Sequence, residues 1–387
     1  MDTTFLQTEL RYLRESGLYR SLRRIDGEQG PMLTLDGREA INFSSNNYLG
    51  LADHPALREA AKAAIDRYGC GSGASRLITG NMTLHEELEN RLAGLKGTEA
   101  ALVFNSGFQA NTGIISALLG EGDVVLSDSL NHASIIDGCR LARAKTFVYR
   151  HCDLDQLEDG LKNFSESRRK LIVTETLFSM DGDEAPLREI VELAEQYGAM
   201  VMVDEAHATG VYEPNGAGLV ANLGLADRVS IQMGTLGKAL GGFGAYVAGS
   251  AALRDFLINR CRSFIFTTSL PPAIMAMGIA AIGLINREPE KRKVLRTNCA
   301  RLRNGLQALG YSLGNSRSQI LPLPVGEAAA CMDLSQRLLD CGVFAQGIRP
   351  PTVPPGTSRL RITLMATHTE EHIDRALSAF EASKEAN

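Results

Sequence analysis

The chain has 387 residues, which on a prior of ~150 residues per domain predicts two or three structural units. Hydrophobic residues make up 44 % and charged residues 22 %, an ordinary globular mixture. The net charge of −5 argues against a general nucleic-acid or anionic-membrane binder.

Apolar positions at helical spacing from Phe5 to Leu22 predict an N-terminal helix. Met32–Leu35 and Ala40–Phe43 flank Asp36-Gly37, a hairpin signal. A polar loop, Ser44 to Gly50, precedes a helix from Pro55 to Tyr68. Gly69 to Gly80 is rich in glycine and serine, holds Arg76, and suits an active-site loop or a plain linker. Strand candidates then begin near Ala101, Val124, Thr146, Leu171, Met200, Val229 and Ala245, with helix-like stretches such as Leu187 to Gln196 between most of them. That alternation predicts an α/β fold with most strands parallel. Between Arg262 and Arg287 there is no charge, but the apolar part from Ala273 to Ile285 is too short to span a membrane and reads as a core helix starting at the prolines. Further on, helices are expected at Lys291–Leu309, Ala330–Cys341 and Thr369–Lys384, and strands at Gln319–Leu323 and Leu360–Leu364. The expected division is an N-terminal helix and hairpin over 1–45, a large domain over 46–286 and a small C-terminal domain over 287–387.

Seven cysteines are scattered without CxxC pairs or His/Cys clusters, which predicts reduced thiols in a cytoplasmic protein, with neither disulfides nor a bound metal. No apolar leader opens the chain, so no secretory signal is expected.

Three stretches point to chemistry. In Met233-Gly234-Thr235-Leu236-Gly237-Lys238-Ala239-Leu240-Gly241-Gly242-Phe243-Gly244, one lysine sits among glycines, so a flat ligand can approach its amine. A lysine amine forms Schiff bases with carbonyl compounds when deprotonated. Alone, the stretch reads first as a surface turn with a solvated lysine. Second, Ala199 to Val203 is a continuous apolar run of a strand buried on both faces, and it ends in Asp204-Glu205-Ala206-His207. Ligands of open α/β sheets lie beyond such carboxyl ends, where a carboxylate can hold a cationic ring nitrogen; a helix N-cap is the plainer alternative for Asp204. Third, the strand Ala101–Phe104 runs into Asn105-Ser106-Gly107-Phe108, a turn whose following helix would offer free backbone amides to a phosphate.

Together with Ser127-Asp128-Ser129-Leu130-Asn131-His132-Ala133-Ser134 and Thr235-Leu236-Gly237-Lys238, these stretches resemble the α-oxoamine synthases, from about Arg11 to Ala379. That family consists of fold-type I pyridoxal phosphate (PLP) enzymes that join an amino acid to an acyl thioester with loss of carbon dioxide. The resemblance implies a large domain with a mostly parallel seven-stranded sheet, a smaller α/β C-terminal domain, and a homodimer. It implies Lys238 as the Schiff-base lysine and proton-transfer base, Asp204 on the pyridine nitrogen, His132 stacked on the ring and near the substrate, and His207 on the phenolic oxygen. Ser179 matches a serine beside the cofactor. Gly107, Phe108 and Thr235 match its phosphate contacts, and Thr267 or Thr268 a contact from the other subunit. Arg361 resembles the arginine that clamps the amino-acid carboxylate, with Asn47, and Arg359 lies on the same strand face as a salt-bridge neighbour. Arg23 and Thr352 match positions near the acyl donor in one branch, which condenses L-alanine with a pimeloyl thioester on coenzyme A or an acyl carrier protein. The stretch Gly347 to Pro354, with its double proline, is most like that branch, and a glycine- and acetyl-using branch is the alternative.

Other readings fit less well. Met202 to His207 also looks like the magnesium box of a nucleic-acid helicase, but Gly237-Lys238 is followed by Ala239 and position 232 is Gln232, so the phosphate loop fails at both ends. A plain aminotransferase of the same fold and a non-catalytic cofactor-binding regulator complete the alternatives.

Overall fold

A computed structural model describes residues 3–212 and 215–385. The chain divides into two compact units, one of residues 1–50, 180–183 and 293–387, the other of residues 51–179 and 184–292.

The first unit begins with α1 (Thr4–Glu15), which ends seven residues before the predicted Leu22. Gly17 turns the chain at φ +68°, and such left-handed caps end a helix whatever the periodicity beyond. After β1 (Ile25–Asp26), the predicted hairpin forms between β2 (Met32–Leu35) and β3 (Arg38–Asn42). Its two turn residues, Asp36 and Gly37, both have positive φ, at 49° and 83°, as the tight turn that suits strand twist demands.

The second unit starts with α2 (Pro55–Tyr68), led by a proline in its first turn, and α3 (Thr83–Lys96). Its sheet is built from β4 (Ala100–Phe104), β5 (Val124–Asp128), β6 (Lys145–Tyr149), β7 (Lys170–Glu175), β8 (Met200–Asp204), β9 (Ile231–Thr235) and β10 (Ala245–Gly249). The order across the sheet is β4-β10-β9-β8-β7-β5-β6. β10 runs antiparallel to both neighbours and the other pairs are parallel. Seven strands, mostly parallel, match the expectation; β9 starts at Ile231, two residues after Val229. Leu171 and Val173 join one hydrophobic cluster and Ile172 the other, so alternate residues of a strand fill the two faces of the sheet. That double burial explains the unbroken apolar runs. Of the helices, α4 (Gly107–Leu118) and α5 (Ala133–Leu141) bear on the site. The uncharged stretch forms a helix at Pro272–Arg287 with proline at its start. Among the described residues no helix is long and apolar enough to cross a membrane.

The first unit continues with β11 (Ile320–Gly326), β12 (Val343–Phe344), β13 (Gln346–Ile348) and β14 (Ser358–Thr363). β12 adds in parallel to β3 of the hairpin, and β11-β14-β13 form a second sheet. The N-terminal hairpin and the C-terminal residues therefore share a unit.

Candidate active site

Parallel strands deliver their last residues to one edge of the sheet, and the predicted site residues of the second unit gather there. Asp204 ends β8 and is buried. Its Oδ1 accepts from the Ala206 amide at 2.9 Å and its Oδ2 from Asn111 Nδ2 at 2.9 Å. Asn111, on α4, also donates to Ser134 Oγ at 3.0 Å, which lies 2.7 Å from His132 Nδ1. The Ser134 amide points at the same nitrogen at 3.2 Å. A backbone N–H can only donate, so Nδ1 carries the lone pair and Nε2 the proton. Burial holds the His132 pKa below its ordinary value; Asp204 pulls it up and Lys238 pushes it down again.

Lys238 stands on the turn between β9 and β10. Its Nζ is 2.8 Å from His207 Nε2, on the turn that follows Asp204. Gly241 makes this turn possible: its φ is +65°, and a Cβ there would come within 2.4 Å of the Leu51 backbone. Ser106 caps α4, accepting from the Gln109 amide at 3.2 Å, and leaves the first-turn amides of Gly107 and Phe108 at the helix N-terminus. A Cβ on Gly107 would lie 3.1 Å from Thr235 Cγ2. The Thr235 hydroxyl is buried without a hydrogen-bond partner. An orphaned donor beside free amides fits a phosphate. Asn105 donates to Thr267 Oγ1 at 3.1 Å and to the Thr268 carbonyl at 2.8 Å, so both threonines border this turn within one chain. The seat, the lysine and the Asp204 carboxylate fit PLP.

Two supports escape the motif reading. Glu175 ends β7 and accepts from the Ser179 amide at 3.2 Å, while its Oε1 is buried without a partner. Burial and the nearby Asp204 charge push its pKa up to about 8, and Lys238 pulls it down. Its position at the end of an apolar strand run was the available signal. Lys96, wholly buried, pairs with Glu205 and donates to the Ala217 carbonyl. Burial opposes its charge, but Glu205 and Tyr246 hold its pKa above the ordinary value. Glu205 Oε1 accepts from the Val220 amide at 2.9 Å, and Thr209 Oγ1 meets Tyr246 OH at 2.8 Å. These contacts brace the Asp204–Thr209 turn. Nothing local marks Lys96, whose partner is 109 residues away.

The first unit holds the other predicted residues. Arg361, buried on β14, donates to Asn46 Oδ1 at 3.1 Å and Tyr48 OH at 3.4 Å. Asn47 Nδ2 donates to the Gln29 carbonyl at 3.0 Å. Arg359 forms the expected salt bridge, with Asp181. Arg23 lies over the Phe344 ring, 5.6 Å from its centroid. Thr352 Oγ1 is met by Arg20 Nη2 at 3.4 Å, which also reaches the Pro350 carbonyl at 3.3 Å.

The family description that matches residues 38–380 is aminotransferase class I and II. The chain belongs to this family. Similar proteins include an 8-amino-7-oxononanoate synthase from Geotalea daltonii, 56 % identical over 374 residues, covering 96 % of this chain and 95 % of that one. Another, from Geobacter sulfurreducens, is 56 % identical and covers 97 % of each. Among solved structures, the Sphingomonas wittichii serine palmitoyltransferase has a TM-score of 0.94 at 35 % identity, covering 99 % of this chain and 98 % of that one. An 8-amino-7-oxononanoate synthase from Francisella tularensis has a TM-score of 0.76 at 29 % identity, covering 90 % and 98 %. The chain is a fold-type I PLP enzyme, as its motifs implied.

Proposed function

We propose that the protein condenses L-alanine with a pimeloyl thioester to give 8-amino-7-oxononanoate, carbon dioxide and free thiol, a step of biotin biosynthesis. The observation that carries the reading is the placement of Asp204 at the end of β8 and of Lys238 on the turn just beyond its neighbour β9, the lysine amine within hydrogen-bond reach of His207. The names of the relatives that are 56 % identical support the choice of substrates.

Lys238, Asp204, His132, His207, Ser179, Thr235 and the Gly107 and Phe108 amides would hold PLP, with Thr267 or Thr268 reaching the phosphate across a homodimer interface. When bound, PLP supplies an electron sink for the bonds broken at the alanine α-carbon. By the resemblance of their motifs, Arg361 would offer a two-pronged cation to the alanine carboxylate, with Asn47. Lys238 Nζ would take the α-proton, and His207, its Nε2 2.8 Å away, would share the charge. Asp204, fixed by Asn111 and the Ala206 amide, would offer its carboxylate to the ring nitrogen. The α-carbon would bond to the acyl carbon as the C–S bond breaks, and the sulfur would leave as a thiolate that takes its proton from solvent. The bond to the carboxyl group then breaks, carbon dioxide departs, and Lys238 returns a proton to the same carbon. Arg20, Arg23 and Thr352 would meet the acyl donor, carried by coenzyme A or an acyl carrier protein. The seven cysteines are all free, which supports a cytoplasmic setting.

The test is product formation. Protein given L-alanine and pimeloyl-coenzyme A should release thiol and 8-amino-7-oxononanoate in equal amounts. Thiol release with glycine and acetyl-coenzyme A, and none with alanine and the pimeloyl donor, would assign the glycine-using branch instead.

A further inference from the structure

β5 and β6 pair in parallel with Asp128 opposite Tyr149, so the turn that leaves β6 curls over the end of β5. That turn carries His151 and Cys152. Side-chain neighbours in sequence thus meet a carboxylate more than twenty residues upstream, a His/Cys cluster that the sequence had not suggested. His151 Nδ1 lies 3.0 Å from Asp128 Oδ1, and the Cys152 amide donates to Asp128 Oδ2 at 2.9 Å. Cys152 Sγ is 3.7 Å from His151 Nδ1 and 3.6 Å from Nε2. Cys152 is held at φ +56°, a conformation few residues other than glycine and asparagine adopt. The His151 ring stands edge-on to Phe178, centroids 4.4 Å apart.

We propose that Asp128, His151 and Cys152 form a binding site for a zinc-class divalent cation. Each residue offers one ligand atom, and the three atoms lie within 4.8 Å of one another. With zinc bonds of about 2.0 to 2.3 Å, neighbouring ligands of a tetrahedron sit roughly 3.4 to 3.6 Å apart. The sulfur-to-nitrogen separations are already near that edge, and a small turn about the His151 χ2 torsion, which is soft, aims one nitrogen lone pair at the ion. A thiolate beside an imidazole selects zinc, cadmium or cobalt over magnesium and calcium, which prefer oxygen ligands. The thiolate and the carboxylate together balance the ion's two positive charges. Binding releases the thiol proton to solvent, and the His151 side chain, 24 % exposed, leaves a way in and room for a water as fourth ligand. The site is separate from the residues assigned to PLP and does not depend on their reading.

The experiment is equilibrium dialysis of the PLP-loaded protein against zinc, with cobalt as a spectroscopic probe. One equivalent should bind, and cobalt should give the intense visible and near-ultraviolet bands of a tetrahedral thiolate complex. Cys152→Ser should weaken binding by ~10-fold or more. Cys152→Asn should do the same while keeping the turn, because asparagine accepts the left-handed backbone. Replacing the exposed Cys70 and Cys341 by serine should leave binding intact. Absence of zinc uptake, uptake that survives both Cys152 variants, or uptake lost with Cys70 and Cys341 would overturn the proposal.

Discussion

The Lys238 amine and the His207 imidazole meet at 2.8 Å, Nζ to Nε2. One of the two nitrogens must accept, so the pair cannot carry a proton on both facing atoms. A lysine whose proton is shared in this way is ready to act as a nucleophile and base. Borohydride treatment of the loaded protein should therefore fix the cofactor to a single peptide, the one containing Lys238. Lys238→Ala should abolish the fixation and lower turnover by ~10³-fold or more. Label on another lysine would refute the assignment.

Asp204 and Asn111 act as a pair. Asp204→Ala should slow α-proton exchange of L-alanine by ~10²-fold or more, as expected for loss of a preorganised charge. Asn111→Ala removes a hydrogen bond to that charge and should cost ~10-fold or more in the same exchange. Exchange followed by proton NMR in deuterium oxide measures both. An unchanged rate in Asn111→Ala would mean that the Ala206 amide alone orients the carboxylate.

Arg361 is predicted to act through its fork. Arg361→Lys keeps the charge but loses the planar pair of donors, so KM for L-alanine should rise by ~10-fold with a smaller change in kcat. The KM for the acyl thioester should stay within about twofold, because a uniform binding contact to one substrate is what is lost. A rise confined to the thioester would place Arg361 on the other substrate.

Glu175 gives a pH signature. Its carboxyl ionises at an ordinary 4.5 when unfolded and at about 8 when folded. The folded protein binds the extra proton between those values, so this stability contribution is complete below the lower value and is lost as pH rises through the higher one. Glu175→Gln carries no such dependence. In cofactor-free protein, urea unfolding should show the variant gaining on the wild type from about pH 5 to about pH 8, then levelling. A constant difference across that range would contradict the assignment.

Shared sites in a homodimer would show as complementation. A Lys238→Ala chain mixed with a chain altered at both Thr267 and Thr268 would form one site bearing both defects and one bearing neither. Mixed dimers should regain activity if the threonines serve the partner's phosphate. Because Asn105 already bonds Thr267 and the Thr268 carbonyl within one chain, failure to regain activity after subunit exchange would assign the contact to that same chain.

Periodicity gave the elements of this protein, and strand-end motifs, decisive only when taken together, pointed to its site. The apolar run into Asp204, the glycine-flanked Lys238 and the Ser106-Gly107 turn are local signals, because strand burial, turn geometry and helix capping are each set by a few consecutive residues. The hairpin at Asp36-Gly37 was legible for the same reason, whereas Gly17 ended α1 within an otherwise helical pattern. What the tertiary structure decided depends on strand order. With β8 between β7 and β9, and α4 bearing on their ends, Asn111 reaches Asp204 and burial raises Glu175. With β6 beside β5, His151 and Cys152 close on Asp128. With β12 added to β3, the N-terminal hairpin joins the C-terminal sheet unit, and Arg20 meets Thr352, 332 residues away. Each of these contacts joins residues far apart in the chain, and no spacing rule records which strands will be neighbours once their hydrophobic faces are buried.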